Sequence, residues 1–377
     1  MYKFYFTGAL LVWASLVAVA QQVTTLSMNS NIDDALIFDE AGFLYGAHYN
    51  GASVIKVSPD DWSSEEFSTG YNTPNGMALG NDGHLYLADQ EGNRIYRIFA
   101  DGSSEVFINN FYSPSGMILE PDSDTLVVSS YYGNRVVKIA PDGGIVTLTK
   151  DSLLNGPVGL CYDDDGQLYV GNFNNRRIIK LYDSGEQELL AQPSGSGWLG
   201  FIAYAKGYIY GTLFSQHKLY RTDLMGNDTT FLGGGVGTID GGPGEAKFNG
   251  PNGIIASPSQ DTLFISDHYS KALRMITNLE EITTHTKAPK AMVDWQIAPN
   301  PATERVTITL HLLQKSRIDL QVFDANGQVV QVIPSQEITA SGQHDILLEI
   351  GSWPSGMYHV QLKLNDGTTV SQSFVKS

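Results

Sequence analysis

Short apolar runs separated by polar turns fill most of the chain. In a typical stretch, residues 77–79, 84–88, 94–99 and 104–108 are apolar or alternate between apolar and polar residues, and Asn81-Asp82-Gly83 lies between the first two runs. Runs of this length, bounded by Asp-Gly or Gly-Asn pairs, predict β-strands that are joined by hairpins. The pattern therefore predicts an all-β protein.

A longer phrase repeats along the first three quarters of the chain. Its clearest copy runs from Pro74 to Ile98, and its Leu-Tyr element recurs at Leu44, Leu85, Leu126, Leu168, Ile209 and Leu263. These positions are 41 or 42 residues apart, except that a Gly-rich insertion lengthens the last interval to 54. Four strands fit each period, so six copies predict a six-bladed β-propeller. The alternative, an open β-solenoid, needs only one or two strands per repeat.

The repeated phrase resembles a known family. Pro74-Asn75-Gly76-Met77-Ala78, followed by an Asp-Gly turn, Leu-Tyr-Leu-Ala-Asp and Gly-Asn-Arg-Ile, resembles the NHL repeat. The pattern over about residues 30 to 286 is also similar to the gluconolactonase and senescence-marker superfamily. The resemblance implies the fold more than the function, because these propellers include lactonases, lyases and pure binding modules.

The composition changes after Asn278. Residues 287–297 are predicted to be a linker, and residues 298–377 alternate with period two between turns, which predicts a small Ig-like β-sandwich. Its motifs resemble the type A C-terminal sorting domain of the type IX secretion system of Gram-negative bacteria: Pro299-Asn300-Pro301, Asp324-Ala325-Asn326-Gly327 and Ser355-Gly356-Met357-Tyr358. That resemblance implies the secretion machinery as a partner. A carbohydrate-binding or adhesion-type Ig-like module is the alternative.

The N-terminus predicts a cleaved signal peptide over residues 1–20. Lys3 precedes an apolar run that ends in the small-residue site Ala18-Val19-Ala20. An uncleaved anchor helix is the alternative, although the run is slightly short for a membrane span. We therefore predict a propeller over residues 21–286, without a membrane span after cleavage. It would be exported through the periplasm to the outer-membrane surface or the extracellular space.

Charge and cysteine content narrow the possible partners. The formal net charge of −17 argues against nucleic acid and against anionic membrane surfaces, both of which require a cationic face. Cys161 is the only cysteine and lies in an apolar run, so we predict a core residue and no intrachain disulfide.

Candidate binding residues collect on one face of the predicted propeller. Because strands alternate in direction, the start of each first strand and the end of each second strand share that face. Nearly every blade places an aromatic residue there. We predict a mouth that binds a carbohydrate, peptide, small molecule or protein, unless these rings pack between blades. The predicted ligand-binding residues are Tyr49, Tyr131, Tyr132, Asn172, Phe173, Phe214 and Tyr269.

The superfamily resemblance also implies a divalent cation. Asp34 occupies the place of the family's first-blade Glu, and Asn75 and Asn252 begin the flanking blades, so Ca²⁺ or Mg²⁺ could bind there. Blades 3 to 5 offer Ser115, Val158 and Leu199 instead of the family's cross-channel ligands. A metal-dependent lactonase-like hydrolase or lyase is thus the alternative function, and a structural module without a ligand is a third. The candidate catalytic residues are His48, Asp89, Asp267 and His268.

Overall fold

A computed structural model describes residues 21–279, 292–312, 316–324, 328–338, 341–364 and 369–377. The chain divides into two compact units, residues 1–282 and 283–377, which are described separately. The predicted signal peptide, residues 1–20, lies outside the described residues. In the part of the chain that is described, no helix is long and apolar enough to cross a membrane.

The first unit is the predicted six-bladed propeller. It contains six antiparallel sheets of four strands each. Two short 3₁₀ helices, Tyr49–Gly51 and Phe214–Gln216, directly follow the second strands of blades 1 and 5. Blades 1 to 3 contain β2 (Leu36–Phe38), β3 (Leu44–His48), β4 (Ser53–Val57), β5 (Ser64–Thr69); β6 (Pro74–Leu79), β7 (Leu85–Asp89), β8 (Arg94–Ile98), β9 (Ser104–Ile108); and β10 (Pro114–Leu119), β11 (Leu126–Ser130), β12 (Arg135–Ile139), β13 (Ile145–Lys150). Blades 4 to 6 contain β14 (Pro157–Tyr162), β15 (Leu168–Asn172), β16 (Ile178–Leu181), β17 (Gln187–Ala191); β18 (Leu199–Ala205), β19 (Tyr208–Leu213), β20 (Lys218–Asp223), β21 (Asp228–Gly233); and β22 (Pro251–Ala256), β23 (Leu263–Asp267), β24 (Ala272–Thr277), β1 (Gln22–Ser27).

The N-terminal strand closes the ring. Strand β1 pairs antiparallel with β24 and becomes the outer strand of blade 6, with Val23 fully buried. From the sequence alone, either this strand or residues 282–286 could supply the fourth strand of the last blade, and the latter lie outside the described residues. The Gly-rich insertion holds the closure in place, because the Asp240 carboxylate accepts hydrogen bonds from the amide (3.0 Å) and hydroxyl (2.7 Å) of Thr25. The buried Arg274 guanidinium also donates to Asp240 at 2.9 Å.

Glycine at the third position of the inner strands β6, β10, β14 and β22 lets neighbouring blades approach each other. A Cβ atom at Gly76 would lie 2.1 Å from the carbonyl oxygen of Ser115, and one at Gly116 would lie 1.7 Å from that of Val158. This close approach accounts for the repeated Pro-x-Gly phrase. Each inner strand contacts the inner strands of both neighbouring blades, and together they surround a central channel.

Blade 5 departs from the expected alignment by one residue. Leu199 pairs with Leu213 as Pro74 pairs with Asp89, so Gly200 takes the position equivalent to Asn75. The assignment of Leu199 to the functional face is therefore wrong, and its side chain is fully buried.

The expectation for Cys161 is confirmed: the thiol is buried, and burial raises its pKa above the ordinary range.

The second unit is a β-sandwich, as predicted. One of its sheets has three strands and the other has four. Strand β25 (Met292–Ala298) covers most of the segment that was predicted to be a linker. The segment belongs to the sandwich instead, because Ile297 is buried in the sandwich core and Trp295 packs against it. The predicted turn at Asn326-Gly327 lies outside the described residues. The strands are β25 (Met292–Ala298), β26 (Arg305–Leu312), β27 (Ser316–Asp324), β28 (Val329–Ile338), β29 (Gly342–Glu349), β30 (Gly356–Leu364) and β31 (Thr369–Lys376). Their order is β25-β26-β29 in one sheet and β28-β27-β30-β31 in the other.

Candidate functional site

One residue per blade, the residue directly after the second strand, faces a single cavity at one end of the channel. These residues are Tyr49, Gln90, Tyr131, Phe173, Phe214 and His268. The cavity, called the mouth below, has a volume of about 350 Å³. Its other lining residues are Asp34, Asn75, Glu91, Tyr132, Val158, Trp198, Phe201, Asn252 and Tyr269.

Blades 3 to 6 supply a continuous arc of aromatic rings to the mouth. The arc consists of Tyr131, Tyr132, Phe173, Trp198, Phe214 and Tyr269. Successive ring centroids are 4.8 to 6.1 Å apart, and Phe173 stacks on Trp198 with an interplanar angle of 14°. Tyr132, Trp198 and Tyr269 are 57%, 45% and 58% exposed. The rings at the rim are therefore open to solvent, contrary to the alternative that they all pack between blades.

Blades 1 and 2 make the other side of the mouth polar. The Gln90 side-chain oxygen accepts hydrogen bonds from the Tyr49 hydroxyl (3.2 Å) and from the Asn75 amide (3.4 Å). The Asn75 oxygen in turn accepts from the Ser115 hydroxyl at 3.2 Å. Hydrogen bonds thus fix both ends of the Asn75 amide, and the Glu91 side chain lies at the exposed rim.

Asp34 lies at the floor of the mouth and is only 4% exposed. One of its carboxylate oxygens accepts the Ala35 amide N–H at 2.9 Å. Burial, together with the neighbouring Asp33 carboxylate, raises the pKa of Asp34 well above its usual range, against the opposing effects of Asn252 and Lys271. Asp33 itself points away from the mouth, where it forms an ion pair with Lys271 and accepts the Tyr49 amide N–H at 2.6 Å.

The last residue of the second strand braces the blade instead of facing the mouth. Asp89 accepts the backbone N–H groups of Asn72 and Thr73, and Asp267 accepts that of Asn249 at 2.7 Å. Side chains of adjacent strand residues point in opposite directions, so this position turns into the blade while the next one faces the channel. Burial raises the pKa of Asp267 to about 6.

The same alternation corrects several assignments made from the sequence. Asn172 does not line the mouth; it is buried and donates its amide N–H to the Leu153 carbonyl at 2.8 Å. His48, which lies 3.5 Å from the Ser53 hydroxyl, and the braces Asp89 and Asp267 also lie outside the mouth. Of the four candidate catalytic residues, only His268 lines it, with Nδ1 3.0 Å from the Asp33 carbonyl oxygen.

Sequence reasoning missed several lining residues. Trp198 precedes the irregular blade 5, where Phe201 also enters the channel, and neither fits the repeat. The sequence places Gln90 on this face, as the residue after the second strand of blade 2, but the predicted ligand-binding set does not include it. Glu91 holds the position that is aromatic in blades 3 and 6, as Tyr132 and Tyr269.

The three proposed metal ligands line one cavity, but the rest of the floor does not fit a divalent cation. Val158 lies in blade 4, opposite the Asp34 blade, and Phe201 is its neighbour in blade 5. Ca²⁺ takes six to eight oxygen ligands, water included, whereas this floor offers one carboxylate and two amide oxygens, of which the Asn75 oxygen already accepts the Ser115 hydroxyl. Within the described residues, no group of three or more His, Cys, Asp and Glu side chains could hold a metal ion. The metal site remains a prediction.

A second cavity of about 490 Å³ lies at the opposite end of the channel. The ends of the inner strands line it, mainly with aliphatic side chains such as Met117 and Leu119. Its polar edge is internally satisfied, because Asp164 accepts the Tyr204 hydroxyl at 2.9 Å and the Gln260 amide at 2.7 Å. The mouth combines exposed rings with a buried carboxyl, so it is the better candidate site.

Protein-family models match part of each of the two units. Residues 296–377 match the secretion system C-terminal sorting domain, and residues 154–181, within blade 4, match the NHL repeat. The chain carries a sorting domain. This domain indicates secretion and interaction with the secretion machinery, as the sequence motifs predicted. No curated protein sequence matches the chain significantly.

Solved structures share the propeller fold. The virginiamycin B lyase of Staphylococcus aureus is 19% identical over 65% of this chain and 80% of its own, with a TM-score of 0.51. A gluconolactonase from Xanthomonas campestris is 17% identical over 70% and 92%, with a TM-score of 0.56. An auxiliary nutrient binding protein from Bacteroides thetaiotaomicron is 14% identical over 68% and 76%, with a TM-score of 0.59. At these identities the likeness concerns the fold alone.

Proposed function

We propose that the protein is a secreted or surface-exposed binding propeller that holds a carbohydrate, peptide, small molecule or protein ligand in the mouth. The observation that carries this proposal is the open aromatic arc facing a buried polar floor within one cavity. A mouth of about 350 Å³ falls within the usual range for ligand sites, which is roughly 300–1,000 Å³.

The two sides of the mouth have separate tasks in this proposal. The arc from Tyr131 to Tyr269 gives a flat or apolar ligand face a stacking surface with little conformational freedom to lose. Asn75, Gln90 and Asp34 then fix its polar groups. Because hydrogen bonds already orient Asn75 and Gln90, the floor is preorganised before a ligand arrives.

A hydrolase or lyase is the second candidate, because His268 and Asp34 line the same cavity. An imidazole and a carboxyl in one cleft can transfer protons to and from a substrate. The names of the gluconolactonase and virginiamycin B lyase structures make gluconolactone and virginiamycin B the first substrates to try. Turnover that His268→Ala abolishes would establish this activity.

The test of binding is an array of glycans and peptides probed with the mature chain, residues 21–377. Trp198→Ala removes an exposed ring from the arc, and we expect it to lower the affinity for the ligands that the wild type captures by about tenfold or more. Tyr204→Ala is the matched control, since it removes a ring from the opposite cavity. Equal losses in both variants, or a loss only in Tyr204→Ala, would contradict the proposal.

A further inference from the structure

The mouth has an unbalanced set of charges. Two carboxyl groups, Asp34 and Glu91, line it, and none of its described lining residues is a Lys or Arg. The neighbouring Lys271 already forms an ion pair with Asp33, whose side chain is fully buried. His268 is the remaining group that could carry positive charge, and its Nδ1 is next to the Asp33 carbonyl oxygen. The described lining of the mouth therefore contains acidic groups and no fixed positive charge.

The Asp34 carboxyl is placed to meet a ligand. It is nearly fully buried and lines the cavity, and the backbone N–H of Ala35 satisfies one of its oxygens. Burying a carboxylate is unfavourable, and a cationic partner supplied by the ligand would offset part of that cost.

The surroundings decide which kind of cation would fit. Protein sites for Ca²⁺ usually combine several carboxylate and carbonyl oxygens with water, whereas this floor has one buried carboxylate and the hydrocarbon side chains of Val158 and Phe201. Organic ammonium and guanidinium groups are more weakly hydrated than metal ions, and the faces of Trp and Tyr rings attract them. An acidic group opposite an aromatic arc thus matches an organic cation better than a metal ion.

We propose that the ligand of the mouth carries an organic cationic group, an ammonium or guanidinium, which lies between Asp34 and the aromatic arc. This inference rests on the proposed binding function and specifies its chemistry. Neutral ligands would lack this ionic contact, and anionic ligands would be repelled by Asp34 and Glu91.

Three probes with the same ring and different charge test the inference by calorimetry on the mature chain. They are phenethylammonium, phenethyl alcohol and 3-phenylpropanoate. We expect the ammonium probe to bind about tenfold or more tightly than the alcohol, with the carboxylate weakest. Asp34→Asn should lower the affinity for the ammonium by about tenfold more than the affinity for the alcohol. An unchanged circular dichroism spectrum shows separately that the variant is folded. Adding EDTA should change nothing.

The possible failures are distinguishable. Equal affinity for the alcohol and the ammonium, no effect of Asp34→Asn, or no ammonium binding at millimolar concentration would overturn the cation inference. If array ligands still depend on Trp198 in any of these cases, the proposed binding function stands. If no array ligand depends on Trp198, the binding function fails as well.

Discussion

Replacing Arg274 with Met should destabilise the ring closure strongly. The Arg274 side chain is fully buried and donates to the carbonyl oxygens of Lys247 (2.9 Å) and Ile239 (3.0 Å) and to Asp240 (2.9 Å). It also lies 3.6 Å from the buried Asp267 carboxylate. Methionine keeps most of the volume but leaves these acceptors without their donor and the buried Asp267 carboxylate without its counterion.

The expected magnitude follows from that unpaired charge. Removing one partner of a buried ion pair typically costs about 3–5 kcal/mol in the free energy of unfolding. For a domain of this size, each kcal/mol lowers the melting temperature by about 2–4 °C, so we expect a decrease of roughly 6–20 °C.

The loss should also depend on pH. Burial raises the pKa of Asp267 to about 6, above its unfolded value of 3.8, although Asn249, Ser270 and Arg274 lower it. The contribution of this group to stability is therefore complete below about pH 4 and is lost as the pH rises through 6. Without Arg274 the pKa of Asp267 rises further, so the loss of folding stability continues to higher pH. The difference between wild type and Arg274→Met should thus be larger at pH 8 than at pH 5.

Thermal unfolding followed by circular dichroism at both pH values measures this prediction. Arg94→Met is the control, because Arg94 is exposed and its side chain donates to the Tyr96 hydroxyl at 3.4 Å. Adding Asp267→Asn to Arg274→Met should recover part of the stability. A decrease no larger than that of the control, or a difference that shrinks as the pH rises, would refute the reasoning.

Three further predictions concern the ring and the mouth. Deleting residues 21–27 removes β1 and the fully buried Val23, so the melting temperature should fall, whereas an unchanged value would argue against closure by this strand. Phenethylammonium affinity should rise with pH above the ordinary aspartate range, because the pKa of Asp34 is raised. Asp34→Asn should abolish this dependence; if it persists, His268 or Glu91, which also face the mouth, is responsible. Calorimetric titration with Ca²⁺ or Mg²⁺ should show no tight binding, because the floor offers one carboxylate; tight binding that Asp34→Ala abolishes would restore the metal-dependent enzyme.

Much of the propeller could be predicted from local sequence because each blade repeats the same physical requirement. Glycine recurs where inner strands nearly touch, as at Gly76 and Gly116, and Asp-Gly turns recur between strands. Most of the aromatic arc followed from the same periodicity, since strand direction places Tyr131, Phe173 and Phe214 at one end of the channel, whereas Trp198 lies outside the repeat.

The remaining errors arose where a single residue of register matters. Asn172 and Phe173 are adjacent, but one braces the blade and the other lines the mouth. The acidic residues Asp89 and Asp267 look catalytic in sequence, yet backbone N–H groups occupy their carboxylates. Such partners come from loops about 18 residues away, and they cannot be identified from spacing alone.

A crystal structure of the mature protein with bound phenethylammonium would test the central claim most directly. We predict density within the mouth, with the ring against Phe173 or Trp198 and the nitrogen directed at Asp34. Density in the opposite cavity, beside Met117 and Tyr204, or only on the C-terminal sandwich, would contradict the assignment of the mouth as the binding site.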